Sequence, residues 1–494
     1  MPSCSCVDAT AAHSYSLGRS TIDKLSDDVL LCVFDSYRLE SEEEEEREHT
    51  WSWDVLVHTC RRWRNIVFGH PGHLKLRLVC KSKTDMNAAL DIWPALPIVV
   101  NADIGDDVDE DDTFGALEHR DRIVGISLSL WTLTQSRVDK CLRVMQQAFP
   151  VLTFLVIHME HGGKVPHVNT DAFLGGSVPR LERFSSMGIR IPALTTLLSS
   201  ATELVDLNLD DLPAEHISPE AMSTCLSSLT RLRSLYIYFQ SWPSFIYSTS
   251  RSQRPPPSTP TVFPALTKLF LGGPPEYLEE LLTRMDTPQL KYGRLQFSDE
   301  ANFDPPGVSQ FIHRTGMFNL PTEVEVYIGK AGFFRLLSSI DPVKMIHLSF
   351  SGSDSDLDLS TEVVLMKEFF TGCPPLSRIE RLKLAEDDLD VRYSCSHTAP
   401  WLELLQPFTA VQTLHLSGEV ILPHVSRTLG MLAGERATEV LPALHTLVLS
   451  WTRELVSEAV RVVEPFIVAR KHSGHPVVVE RTSPWIDDPD SSDA

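Results

Sequence analysis

The chain has 494 residues, 43% hydrophobic and 22% charged, a globular composition with length for several ordinary cores or one long repeat array. A formal net charge of -22 argues against nucleic acid or an anionic membrane surface as the main partner. No apolar run approaches the roughly 20 residues of a spanning helix, and nine cysteines without framework spacing point to reduced thiols in a cytoplasmic or nuclear setting.

Residues 1–20 hold one arginine and no apolar stretch, so a disordered start is expected and not a secretory leader. Helical signals begin at Leu25. Ser26 suits an N-cap, Asp27 and Asp28 suit the positive end of a helix dipole, and Leu25 can pack on Leu30 as a hydrophobic staple. Val29, Leu30, Val33, Phe34 and Tyr37 then share one stripe at helical spacing. The run Glu42–Glu46 reads as a solvated acidic insert at about 39–50. A second amphipathic helix is expected over Trp53–Phe68, with Trp53, Leu56, Val57, Cys60, Trp63 and Val67 on its apolar stripe. Arg61, Arg62, Arg64 and Asn65 form its wet surface, some of them bonded to nearby carboxylates. Two helices this short need something to pack on.

From about residue 95 a phrase returns, apolar-x-x-apolar-x-apolar. Its clean copies are Ile123-Ile126-Leu128, Leu152-Leu155-Ile157, Leu204-Leu207-Leu209, Leu232-Leu235-Ile237, Leu266-Leu269-Leu271, Val343-Ile346-Leu348, Ile379-Leu382-Leu384, Val411-Leu414-Leu416 and Leu444-Leu447-Leu449. Weaker copies lie around Leu181, Leu290 and Val326, and strand-like segments at Pro97–Val100 and Pro476–Val479 can add a rung at each end. The spacing of about 20 to 36 residues, averaging roughly 29, is within or slightly beyond the leucine-rich-repeat range. Pro150, Pro264, Pro288 and Pro442 each stand two residues before a first apolar position, where a turn enters a strand. Helix-like runs lie between copies, at Val138–Ala148, Ala193–Ser200, Pro219–Ser228, Tyr277–Met285 and Glu362–Phe370. Each strand–loop–helix unit has too little core to fold alone, and stacking buries a shared spine. A doubly wound sheet would need strands apolar on both faces, whereas Leu204-Val205-Asp206-Leu207-Asn208-Leu209 keeps one face wet. The expected fold class is therefore α/β: an N-terminal helical module over 21–75, then an irregular leucine-rich-repeat solenoid over 76–481. An acidic tail fills 482–494. Inserted loops are expected at Arg254–Pro260 and Ser351–Ser360.

Alternation within each strand points Ser127, Val156, Asn208, Tyr236, Phe270, His347, Lys383, His415 and Val448 to the concave face. Tyr236, Tyr238 and Phe270 suit protein-recognition anchors; coverage by the inserted loops is the alternative. His158-Met159-Glu160-His161 sits at a strand end whose neighbours face opposite sides, and Cys4-Ser5-Cys6 lacks metal-ligand spacing, so neither reads as a metal site. Phosphate-binding Gly-rich loops, Gly-x-Ser-x-Gly elbows and His-Glu-x-x-His pairs are absent from the sequence. No catalytic residue, cofactor or metal is expected.

The N-terminal pair carries a resemblance. Leu25-Ser26-Asp27-Asp28-Val29-Leu30-Leu31-Cys32-Val33-Phe34 and His58-Thr59-Cys60-Arg61-Arg62-Trp63-Arg64-Asn65-Ile66-Val67-Phe68 resemble the opening and close of the F-box in F-box/leucine-rich-repeat proteins. The large F-box families of mushroom-forming fungi are the nearest in kind. Leu90-Asp91-Ile92-Trp93-Pro94-Ala95-Leu96-Pro97-Ile98-Val99 is similar to a segment common there. Three features depart from the pattern: Ser26 stands where proline is usual, the acidic insert lengthens the linker, and the repeats lack the Asn that often follows the strand. Asp387, Glu419 and Thr452 occupy comparable offsets. The resemblance implies binding to a Skp1-like adaptor and through it a cullin, with Leu25, Val29, Leu30, Val33, Phe34, Leu56, Cys60, Trp63 and Val67 at the adaptor interface or in the small core beneath it. It also implies an unknown target protein on the repeats, for which the concave-face residues Asn208, Tyr236, Tyr238, Phe270, His347, Lys383 and His415 are the candidates. The expected function is that of a non-catalytic substrate-recognition subunit of a ubiquitin ligase, with no nucleic-acid or membrane partner. The alternative is a repeat scaffold or sensor whose helical pair only caps the array; an enzyme built on the array is a third reading.

Overall fold

A computed structural model describes residues 21–44, 53–81, 96–104, 111–130, 140–141, 143–159, 173–189, 191, 193–213, 217–240, 260–298, 306–315, 321–328, 333–338, 345–350, 379–386, 399–432 and 434–482. After a 3-10 turn at Thr21–Lys24 come three helices: α1 (Asp27–Glu44), α2 (Trp53–Thr59) and α3 (Arg61–Gly69). The Ser26 hydroxyl accepts the Val29 amide at 3.3 Å, the expected N-cap.

Two expectations change here. Residues 39–44 of the supposed acidic loop are helical, because glutamate is a good helix former and the chain extends α1 through it. The single helix expected over Trp53–Phe68 is two, broken at Cys60. Cys60 adopts an extended backbone (φ -156°, ψ 169°) and its sulfur accepts the Trp63 amide at 3.4 Å, so it caps α3. It is exposed and does not continue an apolar stripe.

The rest of the described chain is built on one sixteen-stranded sheet. Its N-terminal half comprises β1 (Leu78–Cys80), β2 (Ile98–Ile104), β3 (Ile123–Leu130), β4 (Phe154–Met159), β5 (Arg183–Met187), β6 (Asp206–Pro213) and β7 (Ser234–Gln240). A separate two-stranded ribbon, β8 (Thr261–Val262) with β10 (Met285–Asp286), flanks β9 (Lys268–Gly273). Then follow β11 (Tyr292–Phe297), β12 (Pro321–Ile328), β13 (Phe333–Ser338), β14 (Met345–Phe350), β15 (Arg381–Glu386), β16 (Thr413–Ser417), β17 (Thr446–Ser450) and β18 (Val478–Thr482). Each copy of the leucine phrase carries a strand, although Val343 itself lies outside the described residues. Helices α4 (Asp111–Leu117), α5 (Leu194–Ser200), α6 (Pro219–Leu226), α7 (Pro275–Thr283), α8 (Pro306–Arg314), α9 (Ala399–Leu405), α10 (Ile421–Gly430) and α11 (Arg453–His472) connect strands. The helix expected over Glu362–Phe370, the insert at 351–360, the tail beyond Thr482 and residues 1–20 fall outside the described residues, and Val138–Ala148 is described in part.

The rungs are repeats at the level of single hydrogen bonds. The amides of Glu182 and Arg183 both donate to the Thr153 carbonyl, those of Val205 and Asp206 to Glu182, and those of Arg233 and Ser234 to Val205. Thr267 and Lys268 on Arg233, Gln412 and Thr413 on Glu380, and His445 and Thr446 on Gln412 repeat the pattern. Several strands are entered by a turn in which the first leucine donates three residues back: Leu152 to Phe149, Leu266 to Phe263, Leu290 to Thr287, Leu444 to Leu441. Pro150, Pro264, Pro288 and Pro442 occupy the second turn position, where a fixed φ helps and no donor is needed. The apolar positions of successive rungs then meet in one continuous core, from Leu30 and Phe34 in α1 to Phe466 in α11.

One stretch breaks the simple solenoid. The sheet order runs β9-β11-β14-β13-β12-β15, so β12, β13 and β14 form an antiparallel meander laid in reverse order between two parallel blocks. β11 pairs parallel with β14, and β12 pairs parallel with β15. The four residues between β12 and β13 are too few for the crossover a parallel pair requires.

Candidate interaction surfaces

The helical module divides its apolar residues between two faces. Leu30 and Phe34 are 2% and 1% exposed, and Val67, Ile66, Leu56 and Val57 are buried with them in the core that continues into the repeats. The Phe34 and Trp63 rings meet at 4.8 Å with their planes 58° apart. On the other flank of α1, one helical turn apart, Val29 (44%), Val33 (48%) and Tyr37 (40%) stay exposed. Leu25 and Ile22 before the helix and Val55 on α2 are exposed as well. The anticipated single stripe of α1 is thus a buried row beside an open row. The module is pinned from below: the Arg62 guanidinium donates to Asp27 through Nε at 2.8 Å and Nη2 at 2.7 Å, and to the Leu25 carbonyl. Arg64 Nε donates to the Val57 carbonyl at 2.9 Å, holding α2 on α3.

The second surface is a face of the sheet whose central residues are half-buried, with Ser127 and His347 buried. Strand register aligns one row across it: Ser127, Val156, Ser185, Asn208, Tyr236, Phe270, Arg294, His347, Arg335, Glu325, Lys383, His415 and Val448. The concave residues expected from alternation all fall on this row, and Tyr238 lies two residues further along β7. Sequence reading missed Arg294, Arg335 and Glu325, which sit in its middle.

Their geometry is specific. Tyr236 and Phe270 stack at 4.1 Å with planes 5° apart, and the Arg294 guanidinium lies over Phe270 at 5.4 Å. Glu325 bridges Lys383 at 3.2 Å and Arg335 at 3.7 Å. Tyr327 donates to Glu325 and accepts from Lys383 at 3.2 Å. Burial alone would lower the Lys383 pKa, but the Tyr327 hydrogen bond and the Glu325 charge outweigh it and raise it. Burial, then the charges of Arg294 and Arg335, pull His347 down to about 4, so its imidazole is neutral at pH 7. Burial and Lys383 also lower His415. His158 Nε2 lies 3.3 Å from the Ser185 hydroxyl, while Glu160 and His161 fall outside the described residues.

Of the three turn positions singled out in the sequence, Asp387 lies outside the described residues, and the Thr452 side chain makes no cap hydrogen bond. Glu386, at the end of β15, accepts the amides of Glu419, Val420 and Ile421 and so caps α10. Gly418, at φ +125°, makes room: a Cβ there would lie 2.5 Å from the Glu386 carboxyl carbon.

No known family description matches the chain, and no curated protein matches it. Among solved structures it is similar to the leucine-rich-repeat-containing protein LegL7 from Legionella pneumophila, with 11% identity and a TM-score of 0.26, over 65% of this chain and 93% of that one. It is also similar to a chain of the TLR13–ssRNA13 complex, with 12% identity and a TM-score of 0.32, over 78% of this chain and 48% of that one. The chain therefore spans about half the length of the second. The leucine-rich-repeat architecture stands on the sheet itself: parallel rungs and shared leucine spines. No helix among the described residues is long and apolar enough to cross a membrane.

Proposed function

We propose that the chain is a non-catalytic target receptor of a ubiquitin ligase, docking a Skp1-like adaptor, and through it a cullin, on the open row of its helical module. The repeat face would hold the target and raise its local concentration at the transferring enzyme. The observation that supports this reading most is the uncovered row Val29, Val33 and Tyr37, with Leu25 and Ile22 beside it. A mere cap would turn its apolar residues inward; this helix has already buried Leu30 and Phe34 and still presents a second row to solvent. Of the residues expected to serve the adaptor, Leu25, Val29 and Val33 would make contact. Leu30, Phe34, Leu56 and Val67 would support the module from inside, with Trp63 packed partly against them. Cys60 would act through its cap.

The scaffold reading keeps one observation in its favour, since the buried row joins the core of the first rungs as a cap does. Co-purification separates the two. Wild-type protein should capture a Skp1-type adaptor from a defined mixture, and the Val29→Asp/Val33→Asp double variant should not. A folded wild-type chain that captures none would leave the scaffold reading standing.

A further inference from the structure

The middle of the concave row is charged against the trend of the whole molecule. Arg294, Arg335 and Lys383 face one carboxylate, Glu325, an excess of two positive charges in a chain whose net charge is -22. Two of the three cations have an internal explanation, because Glu325 bridges Arg335 and Lys383. Arg294 does not. No carboxylate among the described residues forms an ion pair with it, and its Nε is buried without a hydrogen-bond partner. A guanidinium without a carboxylate partner, stacked on Phe270, has the chemistry to take a planar anion that arrives from outside. Neutral His347 on one side and the Tyr236–Phe270 stack on the other frame that position. An arginine laid on a ring that is itself stacked also has little side-chain freedom left to lose on binding.

We infer that this row binds an extended acidic peptide segment of the target, running across the strands, with an apolar or aromatic side chain on the Tyr236–Phe270 platform and a carboxylate on Arg294. The spacing follows from the sheet. Strands lie about 4.8 Å apart and an extended peptide advances about 3.3 Å per residue, so the platform and Arg294 are one to two ligand residues apart. Arg335, two strands beyond Arg294, and Lys383, four beyond, lie about 10 and 19 Å away, reaching about three and six residues along the ligand. The recognised pattern is therefore an apolar residue beside an acidic one, with further acidic residues about three and six positions on. This inference rests on the repeat face being the target-holding surface, and is independent of adaptor docking.

The test is selection of a randomised twelve-residue phage-displayed peptide library on the purified full-length chain without adaptor. Enrichment of the stated pattern is expected. Arg294→Met, which keeps the stem over Phe270 but removes the charge, should weaken the selected peptides roughly 10- to 100-fold, and Arg294→Lys should restore part of that. Selected peptides should lose affinity as salt rises. Three selection results would each overturn it: no enrichment, enrichment without acidic bias, or the same peptides recovered equally on Arg294→Met. Displacement of the selected peptides by a single-stranded oligonucleotide at lower concentration would also overturn it, in favour of a nucleic-acid surface. The Val29→Asp/Val33→Asp variant should select the same peptides as wild type. Adaptor capture lost there with peptide selection intact marks the two surfaces as separate, and failure of one leaves the other measurable.

Discussion

Val33 and Phe34 are neighbours in sequence, yet they should fail in opposite ways when replaced. Phe34 is 1% exposed and packs on Trp63, so Phe34→Ala removes a fully buried ring and should cost about 3–5 kcal/mol in the helical module. Val33 is 48% exposed, so about half its side chain already lies in water. Val33→Asp should therefore shift stability by no more than about 0.5 kcal/mol. Covering the remaining half under an adaptor would contribute about 0.7–1.5 kcal/mol to association, scaled from the full burial of such a side chain. An aspartate in that apolar seat adds the cost of an unpaired buried carboxylate, which brings the total loss to at least about 2 kcal/mol, or roughly thirtyfold in affinity. Local stability should be read from amide hydrogen exchange in α1, because an array of this length need not unfold in one step. Affinity should be read by calorimetry with a purified Skp1-type adaptor. Two results would refute the reasoning: Val33→Asp opening α1 as readily as Phe34→Ala does, or Val33→Asp binding adaptor like wild type.

Three further outcomes follow from the repeats. Glu386→Ala removes the acceptor for three amides and should destabilise α10 by about 1–2 kcal/mol, seen as faster exchange at Glu419, Val420 and Ile421. Gly418→Ala, whose Cβ would collide with the same carboxylate, should produce the same exchange signature without touching the acceptor. His347, held down to about 4 by burial, Arg294 and Arg335, takes up its proton more readily when unfolded. Its contribution is therefore present above the ordinary histidine pKa and should be lost as pH falls from about 6.5 towards 4, by up to about 3 kcal/mol. Thermal melts of His347→Gln against wild type across that range should show a flatter acid limb; parallel curves would mean that His347 is not the group responsible.

The repeat architecture was readable because leucine spacing and alternation within the strand agree from rung to rung, and at four rungs a proline entering the turn joins them. The same alternation set the concave register, which is why Asn208, Tyr236, Phe270, Lys383 and His415 fall where expected. Arg294 escaped because its rung is disguised. Gly293 stands at a spine position where the other rungs place a large apolar residue, most often leucine, and an added Cβ would lie 3.2 Å from Ile346, whose side chain fills the gap. Arg335 was hidden for another reason, since an antiparallel strand alternates just as a parallel one does. The available clue was the link Gly329-Lys330-Ala331-Gly332, too short to hold a crossover helix. In α1 the pattern showed how many residues were apolar but not which flank the first rungs would cover, so Val29 and Leu30 looked equivalent.

The reversed trio β14-β13-β12 has a bearing on how the array assembles. In a uniform solenoid each new unit finds its template in the one before it, and order spreads along the chain like a zip. Here β15 has its template in β12, while β12 is joined to the N-terminal block only through β13 and β14, which come later in the chain. The growing edge must wait for a segment not yet in place, and long-range closure has to precede further growth. The two ends of the protein are thereby stitched together at a seam that neither can complete alone, and the acidic-peptide row from Arg294 to Lys383 straddles it.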